Sequence, residues 1–417
     1  MKKFLVVLAL ACASAHPSSA QKKAAGDSAG LSPKTGSNAV RPGPQPYDKV
    51  ITSKAITQKG LFTVHKVEDK YYFEIPDSLL GRQVLSVVRL SKTAAGAGNG
   101  GEIVNQKTLV WEKGPNHEIF VRVVTLISRA DSADALSKAV SNSYMSPIAA
   151  ALPIAAFGKD STSSVVDVTE FFKTDNVVTG LSVSGKGRLQ ATGQAADRSY
   201  IETMHTYPLN TEVRTIKTFM TGSAPAPPNY GMPRMPDAEA AGALTLELNT
   251  SLLLLPKEPM KRRLYDPRVG YFEDEFTVYG DDQQKADKQS FAVRWRLEPK
   301  PEDLEKYKRG ELVEPAKPIV YYIDPATPKK WRSYLIRGID DWKGAFEKAG
   351  FKNAITGKEW PENDSTMSLE DARFSVLRYF ASETANAYGP NVHDPRSGEI
   401  LESHIGWYHN VMYLLHN

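Results

Sequence analysis

Short runs rich in β-branched, aromatic and other apolar residues recur from residue 61 onward, at 61–64, 71–75, 84–90, 102–111 and 119–127. They are separated by turn-forming stretches such as Glu68-Asp69-Lys70, Asp77-Ser78 and the glycine-rich 94–101. Runs of this composition bounded by turn signals predict a β-rich region with hairpins. The same signal predicts strands at 164–172, 177–183, 200–204, 212–220 and 244–255. Between the two sets, 131–143 carries Ala and Leu at helical spacing, and 147–157 is a small-residue apolar segment expected to pack as a short helix or buried loop. Pro225, Pro227, Pro228, Pro233 and Pro236 remove too many amide donors for a sheet, so 223–242 is expected to be a surface loop.

The pattern changes after the charged, proline-bracketed stretch 298–318, which reads as a linker with a helical turn inside. A short apolar strand is expected at 319–323, then a helix capped by Thr327 with Pro328 at its first position. From Trp331 the apolar residues Leu335, Ile336, Ile339, Trp342, Phe346 and Ala349 fall on one face of a 3.6-residue helix, closed by Lys348 and Gly350. A strand at 374–380 and an extended run at 399–405 follow. Asp266-Pro267-Arg268-Val269-Gly270 and Asp394-Pro395-Arg396-Ser397-Gly398 share one spelling, in which Asp bonds its own backbone and Gly supplies a left-handed residue; each is expected to form a four-residue hairpin loop.

Composition adds bounds to this picture. At 417 residues the chain exceeds one ordinary core, and 41% hydrophobic with 24% charged residues is near the globular average. Residues 1–20 read as a secretory signal, with Lys2 and Lys3 before an apolar stretch and Ser18 and Ala20 before the cut. The rival reading, Cys12 as a lipidated cysteine, is weaker because Ala9 stands where such signals carry leucine. The expectation is therefore an exported protein, periplasmic or extracellular, with no cysteine left to form a disulfide. Residues 21–46, rich in Ala, Gly, Ser, Lys and Pro, are expected to be a disordered tether. A net charge of only +4, reduced further when the leader and its two lysines go, argues against a nucleic-acid partner. After the leader no apolar segment is long enough to span a bilayer.

Candidate chemistry concentrates near the end of the sequence, where His393, His404, His409 and His416 crowd together. Zinc hydrolysis is most economically built from H-E-x-x-H on a helix. Only His117 is followed by glutamate, and four residues after it stands Val121, so the motif is absent. If 407 onward is helical, His409 and His416 lie on one face but about 10 Å apart by the helical rise, too far to share a metal. A site from Glu402, His404 and His409 matches no ligand spacing, though a non-peptidase metal hydrolase using His404 and His409 stays open as a third option. There is no G-x-S-x-G, and the glycines at 96–101 lack the lysine of a phosphate loop.

The segments Lys70-Tyr71-Tyr72-Phe73-Glu74-Ile75-Pro76, Leu255-Pro256-Lys257-Glu258-Pro259-Met260, Asp266 to Phe272, 319–351, Gly389-Pro390 and Asp394 to Leu401 give the chain a resemblance to a family of secreted bacterial zinc-dependent metalloproteases. In that family two leading domains without assigned function precede a metzincin-like peptidase domain. The resemblance implies an α+β protein: a small β-rich domain at 47–91, a β-rich second domain at 92–297, the linker 298–318, and the start of an αβα zincin-like peptidase domain at 319–417. It further implies that Glu399, Ile400, Leu401, Glu402, Ser403 and His404 form an edge strand that binds an extended peptide or protein substrate by β-augmentation. The family's zinc-binding helix follows beyond this point, so the expectation is an N-terminal portion with no catalytic or metal residue of its own, zinc belonging to the complete enzyme. The alternative of another class is a periplasmic peptide- or glycan-binding module without catalysis. Oligomeric state is not legible.

Overall fold

The computed structural model describes residues 43–125, 128–130, 134–222 and 235–416. The leader, most of the tether and residues 223–234 of the proline-rich stretch lie outside them. The first half is built from β1 (Ile56–Gln58), β2 (Thr63–Val67), β3 (Lys70–Pro76), β4 (Gln83–Lys92), β5 (Ile103–Lys113), β6 (Glu118–Val124), β7 (Ser128–Ala130), β8 (Ile148–Phe157), β9 (Ser163–Asp167), β10 (Ala191–Gln194), β11 (Tyr200–Thr206), β12 (Asn210–Thr221) and β13 (Ala243–Leu254). All except β7 join one antiparallel sheet in the order β1-β2-β3-β9-β8-β6-β5-β4-β13-β12-β10, with β11 also paired to β12. Strand β4 therefore lies between β5 and β13, and 47–91 and 92–297 contribute strands to a single sheet. Its core is aromatic: Phe62, Phe73, Trp111 and Phe172 are fully buried, and Phe62 stacks on Phe73 with ring centroids 4.9 Å apart.

Three expectations in this half are corrected. The segment 147–157 is neither helix nor loop but strand β8, and Pro153 is tolerated because β8 pairs with β6 up to Pro153 and with β9 from Ile154 onward. Residues 164–172 divide into β9 and the helical turn Thr169–Lys173. Residues 177–183 form no strand: Asn105 Nδ2 donates to the carbonyls of Val177 and Gly180, and Lys217 Nζ donates to those of Thr174 and Thr179, so buried side chains hold this loop. The helical spacing at 131–143 does give a helix, Ala135–Ser143.

Strands β14 (Glu273–Tyr279) and β15 (Asp287–Ala292) form a small sheet with β7. The last sheet contains β16 (Arg294–Trp295), β17 (Ile319–Ile323), β18 (Ile355–Glu359), β19 (Ser375–Phe380), β20 (Ala387–Tyr388), β21 (Asn391–Asp394) and β22 (Glu399–Tyr408). β17, β18, β19 and β22 pair in parallel, and β20 and β21 run antiparallel to β22. Helix α1 (Lys329–Asp340) covers one face, packing Leu335 and Ile339 on Ile319, Tyr321, Ile323, Ile355 and Leu377. The expected single helix breaks after Asp340, and α2 (Lys343–Lys348) closes on Gly350 at φ +94°. Thr327 does not cap it: Pro328 holds that position without a side-chain bond, and the turn is tied instead by Asp324, which accepts from Ala326 N, and by Arg332 Nε, which donates to Thr327 O. The stretch 298–318 contains the expected helical turn, Leu304–Lys308, but it packs on the segment between α2 and β18, Tyr307 stacking on Phe351 at 4.9 Å. The whole is a β-rich α+β fold.

Candidate functional site

Strand β22 carries the residues singled out from sequence, and its surroundings differ from those of an edge. β21 pairs with it at Glu399, Ile400, Glu402 and Ser403, β20 at Gly406 and Trp407, β16 at Glu399 and Ile400, and β19 from His404 to Tyr408. β22 thus has strands on both sides, β21 and β20 on one and β16 and β19 on the other, so residues 399–404 are corrected from an edge strand to part of an interior one. The antiparallel outer strand is β20–β21, which pairs with β22 alone among the described residues.

A bulge decides where the side chains of β22 point. Glu402 faces Val392 and Ile400 faces His393, which leaves Leu401 as an extra residue. Leu401 then joins Leu85, Val87, Leu253 and Val392 in an apolar cluster between the first sheet and the last. Glu402, His404 and Gly406 line a cavity of about 220 Å3 next to that cluster. Its other wall is one face of β4, β12 and β13, bearing Arg89, Glu212, Arg214, Glu247 and Asn249. The parity is consistent: Leu85 and Val87 precede Arg89 on the same side of β4, while Val84, Val88 and Leu90 pack in the clusters of the opposite face.

Charge inside this cavity is paired, partly across the gap and partly within the first sheet. Arg89 Nη2 donates to Glu402 Oε1 at 2.7 Å, with the glutamate side chain 3% and the arginine 10% exposed. Glu212 accepts from Asn210 Nδ2 at 2.6 Å and Asn249 Nδ2 at 2.5 Å. Arg214 pairs with Glu370, and Lys92 with Glu247 at 2.5 Å. Burial pushes the Glu212 carboxyl above the usual range. Burial also raises Glu402, but His404 and Arg89 outweigh it and leave that carboxyl low. Burial drives the imidazole of His404 down to about 4; Glu402 opposes this, and Arg89 and Arg378 reinforce it. His404 Nε2 stands 3.8 Å from Glu402 Oε2, too far for a hydrogen bond.

The remaining singled-out residues have structural surroundings. Glu399 is buried, with Arg296 Nη1 at 3.6 Å, and its carboxyl is pushed up by burial. Ser403 Oγ donates to Pro390 O and its amide to Ser375 Oγ. His409 does not join His404: it follows β22, lies outside any helix, and its Nδ1 contacts Tyr379 Oη at 2.8 Å on the surface. No group of three His, Cys, Asp or Glu able to hold a metal occurs among the described residues, and the structure does not bring His404 and His409 together. Sequence reading missed Arg89, Glu212 and Asn249. A signal was available only for Arg89, the one charge in the apolar middle of β4, and for the polar face of β13 that carries Asn249 opposite its leucines; β12 is polar on both faces and gave none for Glu212.

A second concavity lies on the helical face of the last sheet. It is an apolar groove of about 800 Å3, lined by Trp295, Trp331, Tyr334, Trp342, Ile405 and Trp407 among others. Met412, on the short helix α3 (Val411–His416), stands at its wall.

Residues 44–93 match the family described as domain of unknown function DUF5118, and residues 101–300 match domain of unknown function DUF5117. Both agree with two leading units whose role is unassigned. No curated protein and no solved structure matches the chain.

Proposed function

We propose that this chain is the N-terminal portion of an exported zinc-dependent metallopeptidase, in which the described region supplies the scaffold and substrate side and not the metal. The observation that carries this reading is the last sheet: parallel strands with one antiparallel outer strand, α1 on one face, and beside α1 an apolar groove with α3 at its wall. An α-helix with side chains is about 10 Å across, so a groove of this volume suits one further helix, and a helix following β22 is the element that would bring H-E-x-x-H to this sheet. The outer strand β20–β21 then replaces 399–404 as the place where an extended peptide would add to the sheet.

The residues present do not fit a zinc ion, since His404 and His409 point to different surroundings and Glu402 is committed to Arg89. No hydrolytic step is therefore assigned to this chain. An azocasein assay of the purified protein, with and without added zinc and a chelator, tests the reading: turnover at background in every arm is expected, and chelator-sensitive cleavage would overturn it.

A further inference from the structure

Three features invite a function beyond this: the apolar groove, the buried Lys217, and the charged cavity between the two large sheets. The groove belongs to the reading above, and Lys217 is occupied in holding a loop. The cavity carries more, because its Arg89–Glu402 pair joins residues 313 positions apart in sequence and its two walls belong to different sheets.

We infer that the leading β-rich region is an intramolecular docking platform for the last sheet, and that Arg89 is the positioning residue that fixes strand β22 through Glu402. The platform face has two parts. Leu85, Val87 and Leu253 make an apolar seat for Val392 and Leu401, which holds the sheets together without specifying register. Arg89 supplies the register, because a buried charge must meet its partner or leave an uncompensated ion, and only one alignment of β22 puts Glu402 under it. Asn210 adds a neutral tie at the far side, donating to Glu370 O at 2.8 Å and accepting from Ala372 N at 3.0 Å. Tyr207 Oη donates to Ser368 Oγ at 2.8 Å in the same loop. The residues matched to families of unknown function thereby have a partner: the sheet that follows them in the same chain. The inference stands whether or not the peptidase reading holds.

Hydrogen exchange on the full chain tests it, comparing Arg89→Met, Arg89→Lys, Glu402→Gln and the double variant Arg89→Met with Glu402→Gln. Arg89→Met is expected to speed amide exchange in β22 about 100-fold, with far smaller changes in β2 and β3, because Glu402 is left charged and unpaired. Arg89→Lys should recover part of the protection. The double variant should be no worse than Arg89→Met alone, since a neutral glutamine needs no counter-ion. Should Arg89→Met fail to fold, folding of the double variant is the expected result. An independent readout is His404: removing the Arg89 charge should move its NMR titration midpoint upward from about 4. Equal exchange in β22 and β2, additive effects of the two single changes, an unmoved His404 midpoint, or loss of folding in both Met-containing variants would each overturn the inference.

Discussion

Lys217 shows how far a single residue can depart from its expected place. It is fully buried, its ammonium lowered to about 8 by burial, and it donates to Thr174 O, Thr179 O and Thr179 Oγ1. Lys217→Met keeps the volume but strands those carbonyls, and should destabilise the protein by about 1–3 kcal/mol in urea unfolding. His404 makes a pH prediction. Its folded value near 4 lies below the ordinary 6.5, so the unfolded chain binds the extra proton between those values. The stability it confers is complete above pH 6.5 and is lost as pH falls through 4, a drop of about 2–3 kcal/mol. Denaturant titrations at pH 7 and pH 4 should show this loss in the wild type and a smaller one in His404→Gln. Glu212, raised by burial, acts in the opposite sense, its contribution present at low pH and lost on raising it. Glu402 and His404 were visible in the sequence as candidate chemistry. Arg89 was not, because one charge inside an apolar strand acquires meaning only from what faces it.

Among elements, those whose pattern is local were legible and those that depend on a neighbour were not. Strands β3, β4, β12 and β13 follow from branched and aromatic residues between turn signals, and α1 from its apolar face. The run at 147–157 has small side chains compatible with several conformations, and its pairing to β6 and β9 selects the strand. β22 was recognised as extended, but whether a strand is interior or at an edge is set by its partners. Close approach gives two tests. A Cβ on Gly357 would lie 3.0 Å from Ile336 Cα, so Gly357→Ala should push α1 off β18 and cost about 1–3 kcal/mol, read as a lower melting temperature. Gly398 sits at φ +73° in the loop between β21 and β22, where Asp394 Oδ1 accepts from Arg396 N. A Cβ there would come within 2.5 Å of Ala292 O, so Gly398→Ala should destabilise the protein by at least as much. The companion turn at 266–270 has the same Asp bond and positive-φ glycine, but no strand precedes it to complete a hairpin.

For the molecule, the apolar seat and the charged pairs tie the leading sheet to the last, so calorimetry should record one cooperative transition for both rather than two. The exposed groove, with Trp342 62% exposed, should bind an apolar dye such as ANS in the native state, and Trp342→Ser should reduce that binding with a stability change within about 0.5 kcal/mol. Two leading units were readable from sequence and both match known families, but their fusion into one sheet was not, since strand order is a long-range property. The place of β4 between β5 and β13 imposes a schedule on biogenesis. One side of β4 can be satisfied as soon as residue 113 has been made, whereas the other must wait for β13 to be complete at Leu254. A nascent chain therefore carries an open, apolar strand through some 140 residues of synthesis. Both neighbours of β4 fall within residues 101–300, so the stretch 44–93 taken alone would leave β4 with neither partner, and 101–300 taken alone would leave β5 and β13 without the strand between them.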